Sequence, residues 1–207
     1  MKKELGKKYS VCDRAIELIR QLDGAFRTAE AIKAGVHPQT LYTLLHSGII
    51  ERLSRGVYKL ADTEQVSQPD LVIVATRIPQ AVICLISALA FHEMTSQIPH
   101  EVSFAIAKGA ETPRIDFPPI SVHRFSGEAL TAGVQKHEID GVTVRIFCPE
   151  KTIADCFKFR NKIGMDIALE ALKLYKARKG FNSSELIKFA RICRVEKVML
   201  PYLEAMI

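Results

Sequence analysis

Between Pro38 and Lys59 the segment PQTLYTLLHSGIIERLSRGVYK sets two kinds of nucleic-acid chemistry side by side. On a helix that begins at Pro38, the residues Gln39, Tyr42, Thr43 and His46 recur at i, i+3, i+4 and i+7 and share one face. A Gln amide can bridge N6 and N7 of adenine, and Thr and Tyr can meet base edges or a thymine methyl. None of the four is acidic, so the face can approach a phosphate-lined groove. Just downstream, Arg52, Arg55 and Lys59 surround the tip of a short hairpin with only Glu51 to offset them, which suits contact with a nucleic-acid backbone. Arg27, Thr28 and Thr40 complete the candidate DNA-binding set. The competing reading is an ordinary solvated helix face beside a solvated hairpin tip.

Catalytic chemistry always lacks a member. His92-Glu93 has no second His to make a metalloprotease helix, and neither a phosphate loop nor a GxGxxG turn occurs. Glu138 and Asp140 precede a strand with Arg145 and then Pro149-Glu150-Lys151, which breaks the acid and acid-x-Lys spacing of metal-dependent nucleases. Ser87, Asp155 and the six His form no nucleophile constellation. Cys12, Cys84, Cys148, Cys156 and Cys193 include no CxxC pair, so neither zinc nor a disulfide framework is indicated. They read as reduced packing residues, suited to a cytoplasmic protein. The expectation is a protein with no catalytic residue, no metal and no cofactor.

The elements that must position the first set are legible in the hydrophobic spacing. Ser10 caps a helix with apolar face Cys12, Ala15, Ile16 and Ile19. Thr28 is expected to cap a short second helix that Gly35 closes, and Pro38 opens a third running to about Ser47. Ala31 allows a close helix crossing, Gly35 a turn with positive φ, and Leu41 and Leu44 pack inward, the offsets of a helix-turn-helix. The strands IIERL and VYKL, turning at Ser54-Arg55-Gly56, then read as a wing. The organisation expected is a winged helix-turn-helix over 1–62, a linker over 63–69 and an α+β domain over 70–207. That domain has a sheet-rich middle (EVSFAIA, ISVHRFS, VQKHEI, VTVRIF), a hairpin at Asp140-Gly141 and a helical end interrupted by Pro201.

Several longer segments resemble one family. Gly24-Ala25-Phe26-Arg27-Thr28, GIIERLSRGVYKL, SALAFHEMTSQIP (87–99), HRFSG (123–127) and PEKTIADCFKFRNKIGMDIALEAL (149–172) are similar to AbiEi-type antitoxins, over about Asp23 to Leu203. The resemblance implies a two-part regulator of a type IV, abortive-infection toxin–antitoxin pair. Its winged helix would bind operator inverted repeats and repress its own operon, with self-association on that DNA. Its second domain would counteract a nucleotidyltransferase-like toxin, through the toxin or its nucleic-acid substrate.

The charge is distributed accordingly. The net charge is +6, made of +4 over residues 1–62, −3 over 63–147 and +5 over 148–207. Basic ends favour anionic partners. Lys158, Arg160 and Lys162 in FKFRNKIG are the candidate antitoxin surface, since a helix-dipole explanation does not cover them. No apolar run has the length of a membrane span, and the basic start MKKELGKKYS has no apolar segment behind it. Two alternatives stay open: a metal-dependent nuclease fused to a winged helix, or a second domain that senses a small molecule.

Overall fold

Ser10 starts the first helix by reciprocal capping: its Oγ accepts from the Asp13 N–H at 3.0 Å, and Asp13 Oδ2 accepts from the Ser10 N–H at 3.0 Å. The computed structural model describes residues 10–63 and 66–205. The basic start and the Glu64-Gln65 part of the expected linker lie outside the described residues. By internal contacts the chain divides into two compact units. One holds residues 1–77 and 138–142, the other residues 78–137 and 143–207.

In the first unit α1 (Val11–Arg20), β1 (Phe26–Arg27), α2 (Thr28–Lys33), α3 (Pro38–His46), β2 (Ile50–Ser54), β3 (Val57–Leu60) and α4 (Pro69–Arg77) follow in order. The sheet runs β1-β3-β2, all antiparallel. One core joins Ala15 and Ile19 of α1, Ala31 of α2, Leu41 and Leu44 of α3, and Phe26, Ile50, Tyr58 and Leu60 of the sheet. Ala31 is wholly buried, and the Val36 N–H donates to its carbonyl at 2.9 Å across a turn where Gly35 has φ +102°. This is the winged helix-turn-helix arrangement that the spacing predicts.

Three details differ from expectation. The α2 N-cap is Arg27, not Thr28; Glu30 Oε2 accepts from the Arg27 N–H at 2.7 Å, and the Thr28 N–H donates to Gly56 O at 3.1 Å. A third strand, β1, joins the wing hairpin. Helix α4, read from sequence as part of the second block, packs against β1, β2 and β3 in the first unit.

The second unit is built on a five-stranded mixed sheet of order β6-β5-β4-β8-β7. Its elements are β4 (Val82–Ile83), α5 (Leu85–Phe91), β5 (Val102–Ala107), β6 (Ile120–Phe125), α6 (Glu128–Thr131), β7 (Val134–Ile139), β8 (Val142–Phe147), α7 (Pro149–Ile163), α8 (Met165–Lys176), α9 (Ser183–Ile192) and α10 (Glu196–Glu204). β4 pairs antiparallel with β5 and parallel with β8, while β5 and β6 are parallel. The Asp140-Gly141 turn has φ of 50° and 75°, as a two-residue hairpin requires. Helices α5 and α7–α10 bury Leu89, Phe157, Leu172, Leu186 and Met199 together with Phe125 and Phe147 of the sheet. Pro201 does not end α10, which runs through it to Glu204. The fold is α+β.

Candidate nucleic-acid interface

Helix α3 owes its placement to both ends. Pro38 occupies its first turn, His37 Nδ1 accepts from the Gln39 N–H at 3.2 Å, and Leu41 and Leu44 anchor its inner side. The opposite side is left to solvent, and there the structure brings together Gln39, Tyr42, Thr43 and His46, all exposed. Tyr42 is 61% exposed, uncommon for an aromatic ring with a hydrophobic body. The Thr43 hydroxyl donates to Gln39 O at 3.0 Å, so it meets an outside group as an acceptor or through its methyl. No acidic residue stands in the first turn of α3. Thr40 is a correction: it is buried on the inner side and cannot reach a base.

The wing divides its three basic residues. Arg52 is exposed, with its guanidinium 5.7 Å from the centre of the Tyr58 ring, and Arg55 is exposed at the turn. The Arg55 carbonyl accepts from Arg77 Nη1 at 3.1 Å, tying the turn to α4. Lys59 is the second correction. Its side chain is only 8% exposed, with Nζ 3.4 Å from Thr63 O and 3.6 Å from the Glu51 carboxylate. Lys59 therefore offsets the hairpin's one acid, and Arg52 and Arg55 carry the outward charge. Arg27 pairs with Glu30 at 3.1 Å on a strand beside the wing, and Thr28 adjoins the wing turn through Gly56.

Between α3 and the wing lies a hollow lined by Thr28, Pro38, Leu41, Tyr42, Leu45 and Tyr58. Tyr58 is a residue the sequence reading missed. It is buried in a strand where all four residues are buried, and so shows no alternation to single it out. His37 was missed as well, because a histidine N-cap falls outside the usual Ser, Thr, Asp and Asn set.

The second candidate surface is only partly assembled. Lys158 and Lys162, four residues apart on α7, are exposed, and Lys162 Nζ stands 5.9 Å from the Phe159 ring. Arg160 does not join them: two residues is more than half a turn, and its Nη1 donates to Phe157 O at 2.9 Å. Elsewhere the polar residues serve the fold. Ser87 Oγ donates to Glu101 O and accepts from the Ser103 N–H, and His92 Nε2 lies 2.8 Å from Phe147 O. Among the described residues no group of three or more His, Cys, Asp or Glu is placed to hold a metal ion. The five cysteines form no disulfide, and four of them are buried. Among the described residues no helix is long and apolar enough to cross a membrane.

Comparison with known proteins agrees with this geometry. The whole fold is similar to the crystal structure of the RV2827C protein from Mycobacterium tuberculosis, with a TM-score of 0.52 and 12% identity, over 92% of this chain and 79% of that one. At that identity the likeness is one of fold. No curated protein matches the chain. Residues 13–61, which hold nearly all of α1, the helix-turn-helix and the wing, match the model of the family of transcriptional regulators described as AbiEi antitoxin.

Proposed function

We propose that this protein is a DNA-binding transcriptional autorepressor and the antitoxin of a type IV toxin–antitoxin pair, opposing a nucleotidyltransferase-like toxin. The observation that carries the reading is the exposed, acid-free face of α3 beside a wing whose outward charge is Arg52 and Arg55. In this reading α3 enters the major groove of operator DNA with Gln39, Tyr42, Thr43 and His46 toward the base edges. The wing lies along the backbone. The family match of residues 13–61 supports both the regulatory and the antitoxin part.

The labour divides along the chain, with residues 1–62 reading DNA, α4 bracing the wing sheet beyond the 63–69 connection, and the second unit providing neutralisation through Lys158 and Lys162. No catalytic step is assigned to either part, and the setting is the cytoplasm. The test is to titrate the full chain against the duplex upstream of its own reading frame and against a scrambled duplex, over a range of salt. Preferential binding with a steep fall as salt rises is expected. Equal binding to both duplexes, or none, overturns the repressor reading. Growth rescue of cells that express the neighbouring toxin tests the antitoxin reading separately.

A further inference from the structure

Two sheets present four edges, and three of these are defended. β1 is two residues long, and β2 carries exposed Glu51 and Arg52 and a register shift between Arg52 and Ser54. β7 exposes Gln135, Lys136 and Glu138. Shortness, charge and bulges are the devices that keep an edge from pairing with another chain. β6, with the sequence ISVHRF, is neither short nor bulged, and its one formal charge, Arg124, stands near its end with Nη2 donating to Thr112 Oγ1 at 2.7 Å. It is six residues long, its register with β5 is unbroken from Val102↔Ile120 to Ala107↔Phe125, and Arg124 is its one exposed residue.

The backbone of β6 is half used. The Val102 N–H donates to Pro119 O at 2.8 Å and the Lys108 N–H to Phe125 O at 2.7 Å, so the odd-numbered residues face β5. Ile120, Val122 and Arg124 turn their N–H and C=O groups outward, where no described strand meets them. The strand is held from its inner side: His123 packs edge-to-face on Phe159 of α7, ring centres 5.3 Å apart, and Phe125 meets the same ring at 5.6 Å. An ordered edge is ready to bind another strand without first being fixed in place.

We propose that β6 is a pairing edge and that its occupant is a second copy of this chain, antiparallel about a two-fold axis at Val122. In that register Val122 faces Val122 of the second copy, and each Ile120 faces an Arg124. All three outward residues of each copy then gain a donor and an acceptor. A β-branched pair sits at the centre, and no like charges are opposed. Of the registers whose axis passes through an outward residue, the other two fail. A centre at Arg124 sets two guanidiniums against each other, and a centre at Ile120 brings Pro118 opposite Val122 without an N–H to give. An isologous interface needs a self-complementary strand, and β6 is one. The pairing stands apart from DNA binding, although its two-fold symmetry is that of an inverted repeat.

The test uses the full chain without DNA, in sedimentation equilibrium up to about 100 µM, a range suited to a small interface. A monomer–dimer equilibrium is expected, weakened about tenfold or more by Val122→Lys, which opposes two ammonium groups across the axis. The melting temperature of that variant at high dilution reports whether it still folds. Cross-linking checks the register without relying on it. On a Cys12→Ser background, Val122→Cys should yield a disulfide dimer on mild oxidation, since the opposed Cα atoms would stand about 5.5 Å apart. Arg124→Cys, facing Ile120, should not. A wild-type chain that stays monomeric throughout, a Val122→Lys variant that dimerises as the wild type does, or cross-linking equal at the two positions overturns the proposal.

Discussion

Gln39 and Arg55 should fail differently when removed, because one is placed to read bases and the other to meet the backbone. Gln39→Ala should cost about 1–3 kcal/mol on the operator and little on scrambled DNA, the mark of a lost bidentate base contact. Arg55→Ala should weaken both duplexes alike and lower the salt slope by about one. Titration of both variants at several salt concentrations separates the two, and unchanged binding in each would remove α3 and the wing from DNA contact. The four-residue face was legible because helical spacing places i, i+3, i+4 and i+7 together whatever the rest of the fold does. Thr40 and Lys59 were misread for opposite reasons. A Thr can stand on either face of a helix, and a Lys on a strand passes for solvent-facing until something covers that face. The buried pair in α7 was not legible at all. Lys151 Nζ lies 2.5 Å from Asp155 Oδ2 with both side chains at 0% exposure, and 4.1 Å from the Phe147 ring. Burial pushes the Asp155 carboxyl up, while the Lys151 ammonium and the Cys193 thiol at 3.2 Å draw it back down. Lys151→Met leaves that carboxyl alone and should cost about 3–5 kcal/mol in denaturant unfolding, whereas Lys151→Met with Asp155→Leu should recover most of the loss. Equal losses in the single and double variants would mean that the pair acts only through its volume.

At the scale of elements, the four longer strands of the second unit lie where their apolar runs place them, and Ala105, Phe125 and Phe147 share one core with the helices. The misassigned pieces are those whose partner lies far off in sequence. β1 is too short for any period to show, and α4 reads as a buried helix without saying which sheet it covers. In β3, Tyr58 and Leu60 join the core shared with α1–α3, whereas Val57 and Lys59, also buried, take the alternate positions of the strand. With α4 packed on all three strands, no face of β3 is left for alternation. A fragment of residues 1–69 therefore lacks part of its own unit, and a fragment of residues 1–77 restores α4 with the Arg77–Arg55 contact at 3.1 Å. The longer fragment should melt several degrees higher, as about 1 kcal/mol shifts the midpoint of so small a domain by 4–8 °C. It should also protect the wing amides better in hydrogen exchange. Equal melting and equal protection would show that α4 gives the wing sheet nothing.

At the scale of the whole molecule, charge and protonation are the quantities that no single element sets. Replacing Lys158 and Lys162 by Glu changes the local charge by four units on an exposed stretch, so the double variant should lose toxin neutralisation while repression and solubility persist. Arg160, folded back on its own helix, should matter less. Growth rescue equal to that of the unaltered chain would move the neutralising surface elsewhere. Acid should act on the second unit through two histidines. Burial lowers His92 below its ordinary value of 6.5, with His137 and Arg178 adding to the fall while the Phe147 carbonyl and Glu150 oppose it. Burial likewise lowers His123, with Lys162 adding and Glu101 opposing. A group whose folded value lies below its unfolded one is protonated first in the unfolded chain. Its contribution is complete above the unfolded value and is lost as pH falls through that value toward the folded one. The denaturant midpoint should therefore fall between about pH 7.5 and pH 5.5. Glu170, lowered from 4.5 by the Thr95 and Ser96 groups that bond it, acts only at more acid pH, whereas Asp155, raised by burial, works in the opposite sense. The His92→Gln, His123→Phe double variant isolates the histidines from both, and its midpoint should fall less over the same interval. A slope identical to that of the unaltered chain would place the acid sensitivity outside these two imidazoles.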